Sequence, residues 1–476
     1  MVVIKNIFNT LTGTVLSSLS ASMMLGTITV WSSPMIPKLY KNNTENPFGY
    51  TITSSEDSWI ASIVILGACV GCWCFGLLSN VVGRKVIFSS LGIPAAVSCL
   101  VMAAFPKLSV FLIARFCMGL SIGGIFELVI TYLSEITSKT NRSTIMTSIG
   151  MAQSIGDLFV YSVGPWVSVT AFNCIIIPFP IIFTILAWIF CKESPYFYLL
   201  KGQEGPAKES LEAYRPHGHD IETEIIEIKA QIREQQQGRL LDVIRTKKFA
   251  KSFFMGNMLV IFQQLTGVNC ILMYSQKIFE LTAANLTPAI CSIILGAMQL
   301  TSGAMCPVLV NFFNKKTILT FSAIGMIISQ VVLGTYCIFD NSGHDMTSLR
   351  FIPIVTLTLF IFSYNSGFGA LCWLVASEVY PARVKSLALS FTIFIFFVMG
   401  FFIAKYFQAV VQSLGIGTLF YFFSGCCVVA IVFIHVFVVE TRDKSLEEIQ
   451  NMLGESKNLK HKNADNSAIK SPVNKM

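Results

Sequence analysis

Residues 109–135 read SVFLIARFCMGLSIGGIFELVITYLSE, and residues 352–378 read IPIVTLTLFIFSYNSGFGALCWLVASE. Each is an apolar block long enough to cross a bilayer as a helix, which takes about 20 residues. Each ends on Ser-Glu, at Ser134-Glu135 and at Ser377-Glu378. Each is followed by a base and a serine, Arg142-Ser143 and Lys385-Ser386. The two copies share one displacement of 243 positions (134 to 377, 142 to 385). Such a displacement divides a chain of 476 residues into two halves.

Two further matches support the repeat. Gly83-Arg84-Lys85 after the second apolar block answers Asn314-Lys315-Lys316 after the eighth, and Glu193-Ser194-Pro195 after the sixth answers Glu440-Thr441-Arg442 after the twelfth. Candidate spans run near 11–33, 58–79, 86–105, 109–133, 144–166 and 169–191, then near 252–279, 287–312, 317–339, 351–377, 386–411 and 416–438. The chain is 54% hydrophobic and 13% charged, whereas soluble domains are nearer a quarter charged. In lipid the backbone must satisfy itself, and continuous blocks of this length do so as helices. The expected fold is therefore an all-α integral membrane protein, with twelve transmembrane helices in two pseudo-symmetric six-helix bundles. The bundles take residues 1–191 and 251–438. A cytoplasmic helical linker, 192–250, joins them, and a cytoplasmic tail, 439–476, is expected to be largely disordered after about 454. A parallel repeat of this kind places substrate between the halves near the midplane.

The placement of the net charge of +8 sets the orientation. With both termini cytoplasmic, most of the 34 Lys and Arg fall on the cytoplasmic side, as short loops require. The sequons at Asn42 and Asn285 then lie outside and are glycosylation candidates, while Asn141 lies inside. The positive charge is topological, so no nucleic-acid partner is inferred. The stretch after Lys5 reads as a retained first span, since no small-residue cleavage site follows. Cys69, Cys72 and Cys74 sit in an apolar helix without His or acidic company and read as buried thiols, not a metal site. His217 and His219, beside Pro216 and Gly218, read as a solvated turn. No phosphate loop and no nucleophile with a partner base appears, so neither an enzyme nor a cofactor is expected.

Span 7 carries Gln263-Gln264-Leu265-Thr266-Gly267-Val268-Asn269 with Tyr274, and span 12 runs into Glu440-Thr441-Arg442-Asp443-Lys444-Ser445. With Glu193-Ser194-Pro195, Arg115 and Gly119, Gly367-Phe368-Gly369 and Trp373, these motifs resemble the sugar porter family of the major facilitator superfamily. The resemblance covers about residues 15–450. The Trp31-Ser32-Ser33-Pro34 end of span 1 is similar to insect trehalose facilitators and animal glucose facilitators. The resemblance implies facilitative uniport of a sugar, hexose or trehalose, by alternating access in the plasma membrane, with no obligate protein partner. Two alternatives stay open: a proton-coupled sugar symporter, and a non-transporting sensor or inactive paralogue. Gly150 stands where many members have glutamine, and Phe396-Phe397 replaces an Asn-Trp pair.

A sugar offers hydroxyls and one apolar face, so its site needs amides and an aromatic surface. Gln263, Gln264 and Asn269 are the amide candidates on span 7, and they converge only if Gly267 loosens the helix. Gln299 and Asn365 are further amides and Trp373 the stacking surface; the competing reading has these amides bonding neighbouring helices. Tyr274, Arg84, Glu135, Arg142, Glu193, Lys315, Lys316, Glu378, Arg383, Lys385, Glu440 and Arg442 are gating candidates, with cytoplasmic charges expected to pair across the bundles when the inner side is shut and to part in the other state. Glu127 and Asp157 lie at hydrocarbon depth, where an ionisable residue is a functional candidate. They are expected to carry a proton or to pair with Arg115. Proton-coupled members usually place an acid in span 1, where Ser32 stands here.

Overall fold

A computed structural model describes residues 10–137, 142–215, 220–236, 245–282, 286–381, 384–440 and 452. Among them, eleven helices are long and apolar enough to cross a membrane. We number the spans in chain order, and the fifth, Arg142–Val163, completes twelve. Its 22 residues reach about 33 Å at 1.5 Å per residue. It is less apolar because Gln153, Ser154 and Asp157 lie along it.

The first half comprises span 1 (Thr10–Leu39), span 2 (Ser54–Val82), span 3 (Arg84–Ala104), span 4 (Leu108–Ile136), span 5 and span 6 (Val169–Phe190). The second comprises span 7 (Lys247–Met273), span 8 (Pro288–Phe312), span 9 (Lys315–Asn341), span 10 (Thr347–Val379), span 11 (Lys385–Leu414) and span 12 (Ile416–Phe437). Spans 2 and 4 pack closely, as do spans 9 and 12, and the halves meet where span 2 crosses span 11 and span 5 crosses span 8.

Small residues make the first of these packings. A Cβ on Gly119 would strike the Val64 carbonyl, and one on Gly123 the Ala68 carbonyl. Gly67 and Gly71 likewise face the carbonyls of Phe116 and Leu120. With lipid as apolar as leucine, helices in a membrane gain from this close backbone approach.

Span 1 is interrupted at Val30–Trp31, and Arg115 of span 4 serves the interruption. Its guanidinium donates to the carbonyls of Ile28 (3.2 Å) and Ile60 (3.3 Å) and to Ser32 Oγ (2.8 Å), and it lies 4.8 Å from the Trp31 ring. The expected pairing of Arg115 with Glu127 or Asp157 is not formed, because the Ile28 carbonyl beside the break, the Ile60 carbonyl of span 2 and the Ser32 hydroxyl take its donors.

Three short helices, Pro195–Leu200, Glu204–Tyr214 and Ile221–Gln236, follow span 6. They enclose a small core of Leu199, Ala207, Leu211, Ile225, Ile228 and Ile232. They are fastened to the first half: Tyr214 and Tyr132 hydroxyls lie 2.7 Å apart, and Arg215 donates to the carbonyl of Ile136 at 2.7 Å. We call this the linker end of the molecule. His217, His219 and the residues after 440, except Met452, lie outside the described residues.

Candidate functional site

Span 7 breaks at Gly267, whose φ of +79° is left-handed, a conformation open to glycine at no steric cost. The break is the loosening that the sequence required. It sets Gln263 and Gln264 in the last turn of Lys247–Leu265 and Asn269 in the first turn of Val268–Met273. Asn269 Nδ2 donates to Gln264 Oε1 at 2.8 Å, and Gln264 Nε2 donates to the Phe396 carbonyl at 3.0 Å. Gln263 Nε2 donates to the Tyr364 hydroxyl and the Gly369 carbonyl, both at 2.8 Å. Those two partners flank a π-helical turn, Tyr364–Phe368, in span 10, a feature frequent at functional positions.

Gln299 and Asn365 form a second group. Asn365 Nδ2 donates to Ser302 Oγ (3.1 Å) and to the Gln299 carbonyl (3.3 Å). Gln299 Nε2 donates across the seam to Asp157 Oδ2 at 2.7 Å. The amides thus do bond neighbouring helices, as the competing reading had it. Their donors are used, yet Gln263 Oε1 and Gln299 Oε1 are buried without a partner among the described residues. Buried acceptors rarely stay empty, and these two are available to a substrate hydroxyl.

The stacking surface is covered. Trp373 meets the edges of Phe126 (5.5 Å) and Phe396 (5.2 Å), and Phe126 lies parallel to Phe396 at 6.0 Å, with Phe397 at 5.7 Å. Phe126 comes from span 4 and the others from spans 10 and 11, so the rings meet across the seam. Phe396-Phe397, noted in the sequence only as a departure, builds this cluster.

Two acids also bridge the halves. Asp157 does so through Gln299. Glu127 Oε1 accepts from Ser390 Oγ of span 11 at 2.7 Å, and its Oε2 is buried without a partner. Neither touches a base in the described structure, since Arg115 is engaged elsewhere.

At the linker end the charges repeat with the halves. Arg84 Nη2 lies 3.3 Å from Glu135, and Lys315 Nζ lies 2.6 Å from Glu378. Glu193 accepts the backbone N–H groups of Arg84 (2.8 Å) and Lys85 (3.2 Å), and Glu440 those of Lys315 (3.3 Å) and Lys316 (3.1 Å). Each carboxylate sits at the positive end of a helix dipole. Among the described residues these two ion pairs lie within one bundle each, whereas pairing across the bundles was expected for the shut inner side. The reason is local: span 3 begins one residue after span 2 ends, so Arg84 is delivered beside span 4 of its own half, and span 9 does the same for Lys315. Lys385 opens span 11. Arg383, Arg442 and Asn285, with the side chain of Arg142, lie outside the described residues.

At the opposite end the seam is crossed by groups that the sequence reading missed. Lys277 Nζ lies 2.5 Å from Asp57 Oδ2, and Ser33 Oγ lies 2.7 Å from Ser275 Oγ. Tyr161 donates to the Leu272 carbonyl at 2.7 Å. Tyr274, the gating candidate, stacks on Phe407 of its own half at 4.6 Å. Lys277, a lone base inside an apolar span, was the available signal; Asp57, beside Glu56 at the start of span 2, carried none.

Two six-helix halves with buried amides and acids across their seam define a membrane carrier of the major facilitator fold. A family model described as "Sugar (and other) transporter" matches residues 14–453, and the chain belongs to that family. It is a sugar porter, embedded in a membrane, and not an enzyme. It is 26% identical over 446 residues to the facilitated trehalose transporter Tret1 of Culex quinquefasciatus, covering 92% of this chain and 85% of the relative. It is 28% identical over 447 residues to the human solute carrier family 2, facilitated glucose transporter member 6, covering 89% and 87%. Among solved structures, the proton:xylose symporter XylE bound to 6-bromo-6-deoxy-D-glucose superposes with a TM-score of 0.75 at 20% identity, covering 94% of this chain and 100% of the other. The inward-open form of XylE from E. coli gives 0.74 at 20% identity, covering 92% and 98%.

Proposed function

We propose that the protein is a facilitative uniporter of a neutral sugar, a hexose or trehalose, working by alternating access in the plasma membrane with both termini cytoplasmic. The observation that carries this reading is the amide set on broken span 7, whose buried acceptor Gln263 Oε1 has no partner among the described residues. Gln264 and Asn269 stand beside it, Gln299 and Asn365 lie across from it on spans 8 and 10, and Trp373 flanks them. The placement of the bases supports the orientation, and the linker end is then the cytoplasmic one. Uptake of labelled glucose, fructose, trehalose and a polyol into oocytes at two external pH values tests the proposal. It expects saturable uptake of at least one sugar with counterflow and with no gain from an inward proton gradient.

A second reading is proton-coupled symport. It is favoured by Asp157 and Glu127, two buried acids bridging the halves through neutral partners, Gln299 and Ser390. An uncompensated buried carboxylate is costly, and a proton would remove the cost. Uptake that rises several-fold at acid external pH, and loses that rise in Asp157→Asn, would select this reading.

A further inference from the structure

We propose that Asp57 and Lys277 form the outer latch of the transport cycle, bonded while the extracellular side is shut and parted to admit substrate from outside. This rests on the alternating-access reading above and on its orientation.

The two residues belong to different halves. Asp57 sits in the first turn of span 2, and that turn is fixed. Thr53 accepts the N–H of Glu56 while the Glu56 carboxylate accepts the N–H of Thr53, the reciprocal bonding of a capping box. Lys277 sits in the short helix Ser275–Leu281, beyond the Gly267 break, on the segment least tied to the body of span 7. Their side chains are withdrawn from water, at 0% exposure for Asp57 and 12% for Lys277. Tyr40 completes the group: its hydroxyl donates to Asp57 Oδ2 at 2.9 Å and its ring lies 4.4 Å from Lys277 Nζ.

The same turn of span 2 carries two more contacts to the second half. Gln412 Nε2 donates to Ser54 Oγ at 2.5 Å, and Lys405 Nζ lies 3.6 Å from the Trp59 ring centre. Ser33 Oγ, which faces Ser275, also accepts the N–H of Gln276 at 3.2 Å. The outer side of the seam is therefore tied by several polar contacts between the halves.

Electrostatics makes this pair a switch. Two charges taken out of water gain little net free energy when paired, but one left without the other is strongly unfavourable. The outer seam is thus stable shut with the pair formed, or open with both groups hydrated; the half-made state is disfavoured. Removing one charge leaves its partner buried and alone in the shut state, so it tips the carrier toward outward-open.

The test uses the full chain in cells. Ser275, buried between Ser33 and Ser292, is replaced by cysteine as a reporter. A membrane-impermeant maleimide is applied from outside, with labelling measured over the same chain carrying Ser275. Asp57→Asn and Lys277→Met should each speed labelling by about tenfold, the effect of a tenfold change in the state ratio. The double variant D57N/K277M, with no charge to strand, should label near the parental rate. Single variants that label at the parental rate, or a double variant faster than both singles, would overturn the latch. Labelled-sugar uptake by the parent is measured in parallel. Its absence counts against the transport reading, whereas intact uptake with flat labelling rejects the latch alone.

Discussion

Arg84 and Lys315 hold equivalent corners of the two halves. Each opens the third helix of its half, bonds a glutamate of the fourth (Glu135 or Glu378) and has its backbone N–H accepted by a glutamate after the sixth (Glu193 or Glu440). The two pairs differ in burial: side-chain exposures are 6% and 12% for Arg84–Glu135, against 9% and 28% for Lys315–Glu378. Glu135→Gln should therefore cost more stability, on the order of 3 kcal/mol for a stranded buried charge, against about 1 kcal/mol for Glu378→Gln. Thermal melting of the purified variants in detergent checks the order. Equal melting shifts would contradict it.

Loss of Glu378 should also slow net uptake. Losing this ion pair loosens the linker-end corner of the second half, so Glu378→Gln is expected to favour the inward-open state while an inside-binding inhibitor binds at least as well as before. Much weaker inhibitor binding by a folded variant would remove Glu378 from the gate.

Gln264→Ala removes a side chain that bonds both Asn269 and the Phe396 carbonyl. The loss of one bond to a neutral sugar, about 0.5–1.5 kcal/mol, should raise the half-saturating sugar concentration several-fold to tenfold. Surface expression should hold. Unchanged uptake kinetics would show that Gln264 serves helix packing only.

Phe396→Asn takes away the ring stacked on Phe126 and beside Trp373. The uncovered Trp373 face should admit a larger substrate, so flux of a disaccharide relative to a hexose should rise. A fall in both fluxes together, at normal expression, would mean that the rings hold the halves in register and do not limit size.

Asn42 lies exposed in the loop between spans 1 and 2, and it should carry glycan while Asn141 does not. A glycosidase mobility shift that survives Asn42→Gln and disappears in Asn141→Gln would invert the proposed orientation.

The spans were readable because lipid demands long apolar blocks, and the halves because loop charges repeat. Gly267 was readable because the amides of span 7 could not otherwise converge. Pairing partners were harder. Glu135 and Glu378 look free to reach across the seam until the tight turn at Gly83, or at Asn314, delivers a base from the same half. Arg115 looked like a mate for Asp157, yet its role follows from the interruption at Val30–Trp31, just ahead of Pro34, whose missing N–H cannot bond the Val30 carbonyl. Asp57 and Lys277 lie 220 positions apart, and only the folded arrangement of spans 2 and 7 brings them together.

The rings of Phe126, Trp373, Phe396 and Phe397 bear on membrane energetics as well as on fit. A resting potential acts on every charge that crosses, with about 2.3 kcal/mol per elementary charge per 100 mV. A continuous thread of water between the halves would let small ions run down that field and discharge the cell. Rings packed across the seam put hydrocarbon in the path of such a thread, which opposes an electrical shunt as the carrier shifts between its faces.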